Sequence, residues 1–390
     1  MDLSKIKFSK IILLAILIVF PFGQLLRFSL NILGTSITVQ PIDIFALFSI
    51  FIFLFQKNKE NKFIGVIGAF LAFIFFSLLF SFAYFGFEVG FVGMLYFVRL
   101  VAYSSLFLVI YDLVRKESNL KTFLFNSLII VITAIAIMGW FQYFIYPDIR
   151  NFVVWGWDDH LYRLFSTFID PGFTSILLVF GFLLTLNEYL RTKNRYYILL
   201  LLFLFITIGF TYSRAGYLAL FAGILAMLIY LRKVKYIAAI LIMFVAMIFI
   251  LPKPASSGVE LQRVFSVVAR IENYKETFSI WQKTPIFGVG YNNLCFARIK
   301  YLGNGNFSSH SCSGSDSSLL GLLATGGILG LTLFLVVVWD AIKNIDYKTY
   351  GLGFLACLVA LFIHSLFVNS LFYPWVMGFM ATLAAVSLKS

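Results

Sequence analysis

Apolar runs of membrane-crossing length recur along almost all of this 390-residue chain, and no other feature restricts its fold so tightly. Crossing a bilayer takes about 18 to 20 apolar residues, and several runs reach that length. Windows of about 19 residues place twelve spans near 9–26, 39–56, 62–82, 92–112, 121–146, 170–190, 195–213, 214–231, 235–251, 317–341, 351–368 and 372–388. The expected fold is therefore an all-α integral membrane protein, one polytopic domain over 1–390. Charged residues are only 12% of the chain, so the usual estimate of domain number from length does not apply.

Loop charge orients the spans. Lys5, Lys7 and Lys10, the clusters Lys57/Lys59/Lys62, Arg115/Lys116/Lys121, Arg191/Lys193/Arg195 and Arg232/Lys233/Lys235, then Lys343/Lys348 and Lys389, all fall on one side if the spans alternate. By the positive-inside rule that side is the cytoplasm, with both termini on it. These residues are eighteen of the thirty Lys and Arg, so most of the +13 net charge describes topology and gives little reason to invoke nucleic acid. Basic residues before the first span resemble a signal peptide. Pro21, Gln24 and Arg27 follow it without a small-residue cleavage site, so it reads as a retained span.

Cys295 and Cys312 fall in one outer loop and Cys357 in a span, which allows one bridge at most, and free or inert thiols are the plainer reading. Neither CxxC nor HExxH is present, and the acidic residues do not group in sequence as Mg²⁺ or Mn²⁺ sites do. The expectation is chemistry without metal or cofactor.

The remaining basic residues sit where topology alone would not recruit them. Arg99 lies inside the fourth span, Arg163 just before the sixth, and Arg214 in the tight turn TYSRAG between the seventh and eighth. An Arg at bilayer depth costs about 2.5 kcal/mol or more unless paired or wetted, so Arg99 is expected to face a polar cavity, the alternative being a snorkelling or salt-bridged side chain. Arg214 is fixed at the outer membrane-water boundary, where a lipid-linked phosphate would lie. Arg263, Arg270, Lys275, Lys283, Arg298 and Lys300 belong to the one long outer loop, 252–316. Within it, GVELQRVFSVVARIENYKETFSIWQK spaces Val264, Val267, Val268, Ile271, Tyr274, Phe278 and Trp281 as an amphipathic helix that lies on the membrane or caps a cavity. TPIFGVGYNN reads as a turn. LGNGNFSSHSCSGSDSS has the composition of a mobile loop that brings His310 and Asp316 to the mouth of the tenth span.

Four stretches together resemble the O-antigen polymerase and ligase superfamily of integral-membrane glycosyltransferases, over about 163–335: RLFSTFIDPGFTS, TYSRAGYLAL, ARIENYKETFSIWQKTPIFGVGYNN and SDSSLLGLLATGGILGL. Their order and spacing on this scaffold carry the resemblance. It implies a fold like the transmembrane C-type glycosyltransferases. It also implies transfer of an undecaprenyl-diphosphate-linked glycan at the periplasmic or outer face of the inner membrane. Arg214 and Arg270 match the family's diphosphate-binding arginines, with Arg163 and Arg99 as supports and Trp157, Asp170 and Tyr274 as substrate-binding candidates.

The acceptor hydroxyl must also lose a proton. Ligases carry a His-Asn pair just before the Gly-Ile-Leu-Gly span, and Asp316-Ser317 stands at that position here. A carboxylate is the weaker base; an acid at this place is associated with the polymerase side of the superfamily. His310 is the competing base, and Asp316 as a simple helix cap is the plainer alternative. His160 and His364 read as structural or lipid-interface residues. In WGWDDHLYR, the aromatics Trp155, Trp157 and Tyr162 beside Asp158 and Asp159 suit stacking on sugars, and equally suit a membrane interface.

The expected activity is a polymerase whose donor and acceptor are both lipid-linked glycans, in contact with membrane lipids and with a chain-length regulator as a candidate partner. The alternatives are a ligase acting on lipid A-core or another acceptor, and a twelve-span transporter or flippase. The chain has no evident half-to-half repeat and concentrates polar residues on one outer loop, which disfavours transport.

Overall fold

The computed structural model describes residues 3–32, 35–56, 61–254, 258–260, 265–303 and 314–389. Helix α1 (Leu3–Val19) runs into a 3-10 segment (Phe20–Leu26) and an antiparallel hairpin, β1 (Phe28–Ile32) and β2 (Thr35–Val39), in the register Leu30↔Ile37. Then come α2 (Pro41–Leu54), α3 (Ile64–Phe85), α4 (Phe87–Lys116), α5 (Ser118–Ile145), α6 (Pro171–Thr192), α7 (Tyr196–Phe210), α8 (Arg214–Tyr230) and α9 (Ile237–Ile250). The outer segment supplies α10 (Phe265–Lys283) and α11 (Leu294–Leu302), and the chain closes with α12 (Ser318–Lys343), α13 (Gly351–His364) and α14 (Pro374–Ser387).

Six stretches are long and apolar enough to cross a membrane: Ser9–Leu26, α3, α4, α5, α6 and α12. Six shorter apolar helices fall on the other expected spans. The described chain is thus that of an all-α, multi-pass membrane protein apart from one hairpin. The hairpin departs from expectation, because its short alternating stretch lies between two spans and is too brief for a hydropathy window to register. Helix α11 departs from it as well.

Helix α6 lies at the centre, with 78% of its apolar window buried. It packs against α5, α7, α8 and α13, while α4 packs on α2, α3 and α14. Polarity sorts to the two ends of this bundle. At one end the Lys389 carbonyl accepts from Tyr111 Oη at 2.6 Å and Lys62 Nζ at 3.0 Å, and the Lys389 amide donates to the Asn344 carbonyl at 2.8 Å. The basic loops after α4, α6, α8 and α12 follow helix C-termini, where cations oppose the negative end of the helix dipole.

At the other end α12 is broken. Gly327 has φ +67° and ψ −174°, a conformation essentially reserved for glycine. The backbone groups freed there are met by the segment 285–290. Val289 and Gly290 donate to the Ala324 and Thr325 carbonyls at 3.0 Å each, and Ile328 donates back to the Pro285 carbonyl at 2.9 Å. Ser77 Oγ, from α3, donates to the Phe287 carbonyl at 2.6 Å. The two strips approach so closely that a Cβ on Gly327 would lie 2.1 Å from the Ile286 carbonyl oxygen, and one on Gly288 2.4 Å from that of Thr325. TPIFGVGYNN and the Gly-Ile-Leu-Gly stretch are therefore two halves of one contact. Gly327→Ala is expected to cost about 1–3 kcal/mol from the backbone conformation alone, with the steric clash in addition. A substantially lowered melting temperature in detergent would register it.

Candidate functional site

Four helices start at one place. The first residues of α6 (Pro171, Gly172), α8 (Arg214, Ala215), α12 (Ser318) and α14 (Pro374) all line a single cavity of about 860 Å³, at the end opposite the basic loops. Helix N-termini carry partial positive charge and unpaired N–H groups, so their convergence favours an anion. Four arginines line the same cavity: Arg99, Arg163, Arg214 and Arg270.

The arginines are held differently. Arg99, on α4, donates to Asp43 at 2.8 Å and to the Thr38 carbonyl at 2.7 Å. Asp43 also accepts from Tyr103 Oη at 3.0 Å and from the Gln40 amide at 2.9 Å. The two sequence readings of Arg99 thus hold together: it is salt-bridged, and it faces a polar cavity. Arg163 is buried and donates to the carbonyls of Thr211 at 3.0 Å and Tyr212 at 3.2 Å. It ties the stretch before α6 to the turn that carries Arg214. That turn is capped by Ser213, whose Oγ accepts from the Gly216 amide at 3.2 Å and from Ser175 Oγ at 3.0 Å. Arg270, on α10, makes no ion pair with the described residues, and Arg214 and Arg270 repel one another.

Asp316 lines the cavity just before α12. It does not cap the helix: Ser317 does, its Oγ accepting from the Leu320 amide at 3.3 Å. The Asp316 amide donates to Asn273 Oδ1 at 3.0 Å. Behind it, buried Arg298 donates to the Gly314 carbonyl at 2.9 Å and to Thr277 Oγ1 at 3.2 Å, with Glu276 3.4 Å away. Arg270, Asn273, Tyr274 and Thr277 recur at the i, i+3, i+4, i+7 spacing of one helix face, so a single face of α10 carries the cation and supports the carboxylate. Tyr274 is not part of the wall; its hydroxyl donates to the Leu366 carbonyl at 2.6 Å and feels the charges of both Arg270 and Asp316. The apolar residues Val267, Val268, Ile271 and Phe278 of α10 are exposed, as a helix lying on a membrane would leave them.

The lining is also acidic and aromatic, with Trp157, Asp158, Asp159, His160 and Asp170. The acids do not group in sequence, yet in the fold the ligand atoms of Asp158, His160 and Asp170 come within 4.8 Å of one another, a set able to hold a cation. His160 is buried and belongs to the cavity, not to a lipid interface. His364 is structural, buried with Nδ1 3.0 Å from Ser370 Oγ. Asp170 caps α6, accepting from the Phe173 amide at 2.8 Å. His310 and Cys312 lie outside the described residues. Cys295 is disulfide-bonded, which corrects the reading of free outer thiols, while Cys357 is a free buried thiol.

Three supports of this site, Asp43, Asn273 and Arg298, are missing from the expected site residues. Asp43 is the only carboxylate in its span and so the natural partner of Arg99, a pairing open to sequence reading. Asn273 and Arg298 have nothing beyond their place in the long loop to mark them.

Fold and cavity define a multi-pass membrane protein with an arginine-lined site, built from helix N-termini, at one end of its bundle. Residues 199–335, from α7 into α12, match the family model described as O-Antigen ligase, which supports membership of the chain in the O-antigen polymerase and ligase superfamily. Arg214, Arg270, Tyr274 and Asp316 fall inside the match; Arg99, Trp157, Arg163 and Asp170 fall outside it. No curated protein matches the chain.

Asp170 stands one residue before the α6 span. Burial lifts its carboxyl above the usual carboxylate range, and the charge of Asp158 acts in the same direction. The folded state therefore holds this proton more tightly than the unfolded chain, whose carboxyl titrates at about 3.9. The stabilisation is complete below that value and is lost as pH rises through the higher folded value. Asp170→Asn keeps a capping oxygen and carries no charge. Its melting temperature is expected to exceed wild type near pH 7, with the difference shrinking as the pH falls to the ordinary carboxylate range.

Proposed function

We propose that this protein polymerises undecaprenyl-diphosphate-linked oligosaccharide repeat units, working in the inner membrane with twelve spans, both termini cytoplasmic and the cavity towards the periplasm or exterior. The observation that carries the reading is that Arg214, Arg270 and Asp316, drawn from three separate stretches of sequence, line one cavity.

The acceptor hydroxyl oxygen attacks the anomeric carbon of the donor glycan. The bond from that carbon to the diphosphate oxygen breaks, its electron pair leaves with the lipid diphosphate, and the acceptor proton passes to the Asp316 carboxylate. Negative charge develops on the leaving diphosphate. Arg214 and Arg270 supply fixed cations that stay protonated, at about 1.5–3 kcal/mol per charged hydrogen bond, and the helix N-termini add to the field. Arg163 and Arg99, anchored to protein oxygens, hold the turn and the hairpin beside them. In a polymerisation one substrate releases its lipid diphosphate and the other keeps it. A chain-length regulator protein is a fitting partner for such a step.

The ligase is the second reading, favoured by the description of the matching family. Acceptor identity separates the two. Purified protein given a lipid-linked repeat unit, without nucleotide sugar, is expected to yield a ladder of longer lipid-linked glycans on a gel. Arg214→Ala, Arg270→Ala and Asp316→Ala are each expected to slow the ladder about 10²–10³-fold. Product only after adding lipid A-core would make the protein a ligase, and loss in His310→Ala with Asp316→Ala still active would move the base to His310.

A further inference from the structure

A diphosphate needs only part of a cavity of about 860 Å³, which lies in the size range of sites for whole organic ligands. Its lining also carries two kinds of chemistry. Arg214, Arg270 and the start of α8 attract a diphosphate, whereas Asp158, Asp159 and Asp170 do not. Carboxylates, an imidazole and an indole suit a neutral polyhydroxyl ligand: the carboxylates accept from its hydroxyls, and the indole packs against the apolar face of a pyranose.

The indole is held from behind. Arg27 places its guanidinium carbon 3.9 Å from the centroid of the Trp157 ring, a cation–π contact, and Arg27 is not itself part of the cavity wall. Arg27 is fixed in turn by the 3-10 segment. Its amide donates to the Gln24 carbonyl at 3.1 Å, and Gln24 Nε2 donates to Tyr373 Oη at 2.7 Å. Thr167 Oγ1 donates to the Pro21 carbonyl at 2.7 Å, which binds that segment to the chain just before Asp170. Trp157 therefore has one ring face covered by Arg27, and the residue lines the cavity.

We propose that this part of the lining is the acceptor subsite. It takes the terminal non-reducing sugar of the acceptor as a pyranose seated on Trp157, with Asp158 and Asp170 accepting from its hydroxyls and Arg27 as the positioning residue of the ring. The proposal rests on the glycan-transfer reading and adds to it a division of one cavity into a donor pole and an acceptor pole.

The test is binding of the lipid-free oligosaccharide released from the source cell's own repeat unit, to full-length protein in detergent with EDTA, by calorimetry. Wild type and Arg214→Ala are expected to bind it alike. Trp157→Ala is expected to weaken binding by about tenfold or more, Trp157→Phe less, and Arg27→Ala severalfold, with Arg27→Lys restoring most of the loss. Inorganic diphosphate is expected not to displace the sugar, and to bind Trp157→Ala as it binds wild type while losing affinity for Arg214→Ala. Three results would each overturn the proposal: no oligosaccharide binding by wild type, binding undiminished in Trp157→Ala, or displacement by diphosphate. Binding that appears only when Mn²⁺ or Mg²⁺ replaces EDTA would also overturn it, making Asp158, His160 and Asp170 a cation site. Failure of the glycan-transfer reading looks different: the sugar binds as described, and wild type forms no product from lipid-linked units.

Discussion

Positive charge gathered at one cavity repels itself, and much of the structure around that cavity serves to hold it there. Four helix N-termini and four arginines meet in a bundle whose flanks are apolar. Each anchored arginine has its own restraint: Asp43 and the hairpin carbonyl of Thr38 for Arg99, the carbonyls of Thr211 and Tyr212 for Arg163. Those two acceptors at Arg163 are neutral, so they fix its geometry without cancelling its charge. Neutral partners matter because the lining already carries the carboxylates of Asp158, Asp159, Asp170 and Asp316, and a further one at Arg163 would weaken the field that an anion meets.

The broken helix follows a different rule. Lipid offers no water to satisfy backbone groups freed where α12 opens at Gly327, and the segment 285–290 supplies the partners. Two stretches that read as separate glycine motifs are thereby required together. Neither Gly288 nor Gly327 has room for a side chain, because each faces a carbonyl oxygen of the other strip.

Hydropathy places the helices well, since the cost of exposing polar backbone to lipid leaves little freedom in where a span begins or ends. The starts of α6, α8 and α12 fall within a residue or so of their expected positions. The arginines are legible for the same reason: a charge inside an apolar run demands an explanation. What escapes is of two kinds. Short structure, such as the hairpin and α11, has no period long enough to rise above its surroundings. Partnership between residues far apart in sequence, such as Asn273 with the Asp316 amide, leaves no mark in composition. The meeting of Asp158 and His160 with Asp170 belongs to the second kind, because the turns between them are set by tertiary contacts and not by any local pattern.

The contacts around Asp316 close a ring. From Asn273 the chain runs along α10 to Lys283, then through 285–290 onto α12 at Ala324 and Thr325; from there it runs back along α12 to Asp316, whose amide returns to the Asn273 side chain. The links are two helices, the turn between them and direct hydrogen bonds, so the described residues themselves set the separation of Arg270 and Asp316. A change of length anywhere along that ring, in the turn as much as in either helix, would be felt as a change in the distance between cation and carboxylate.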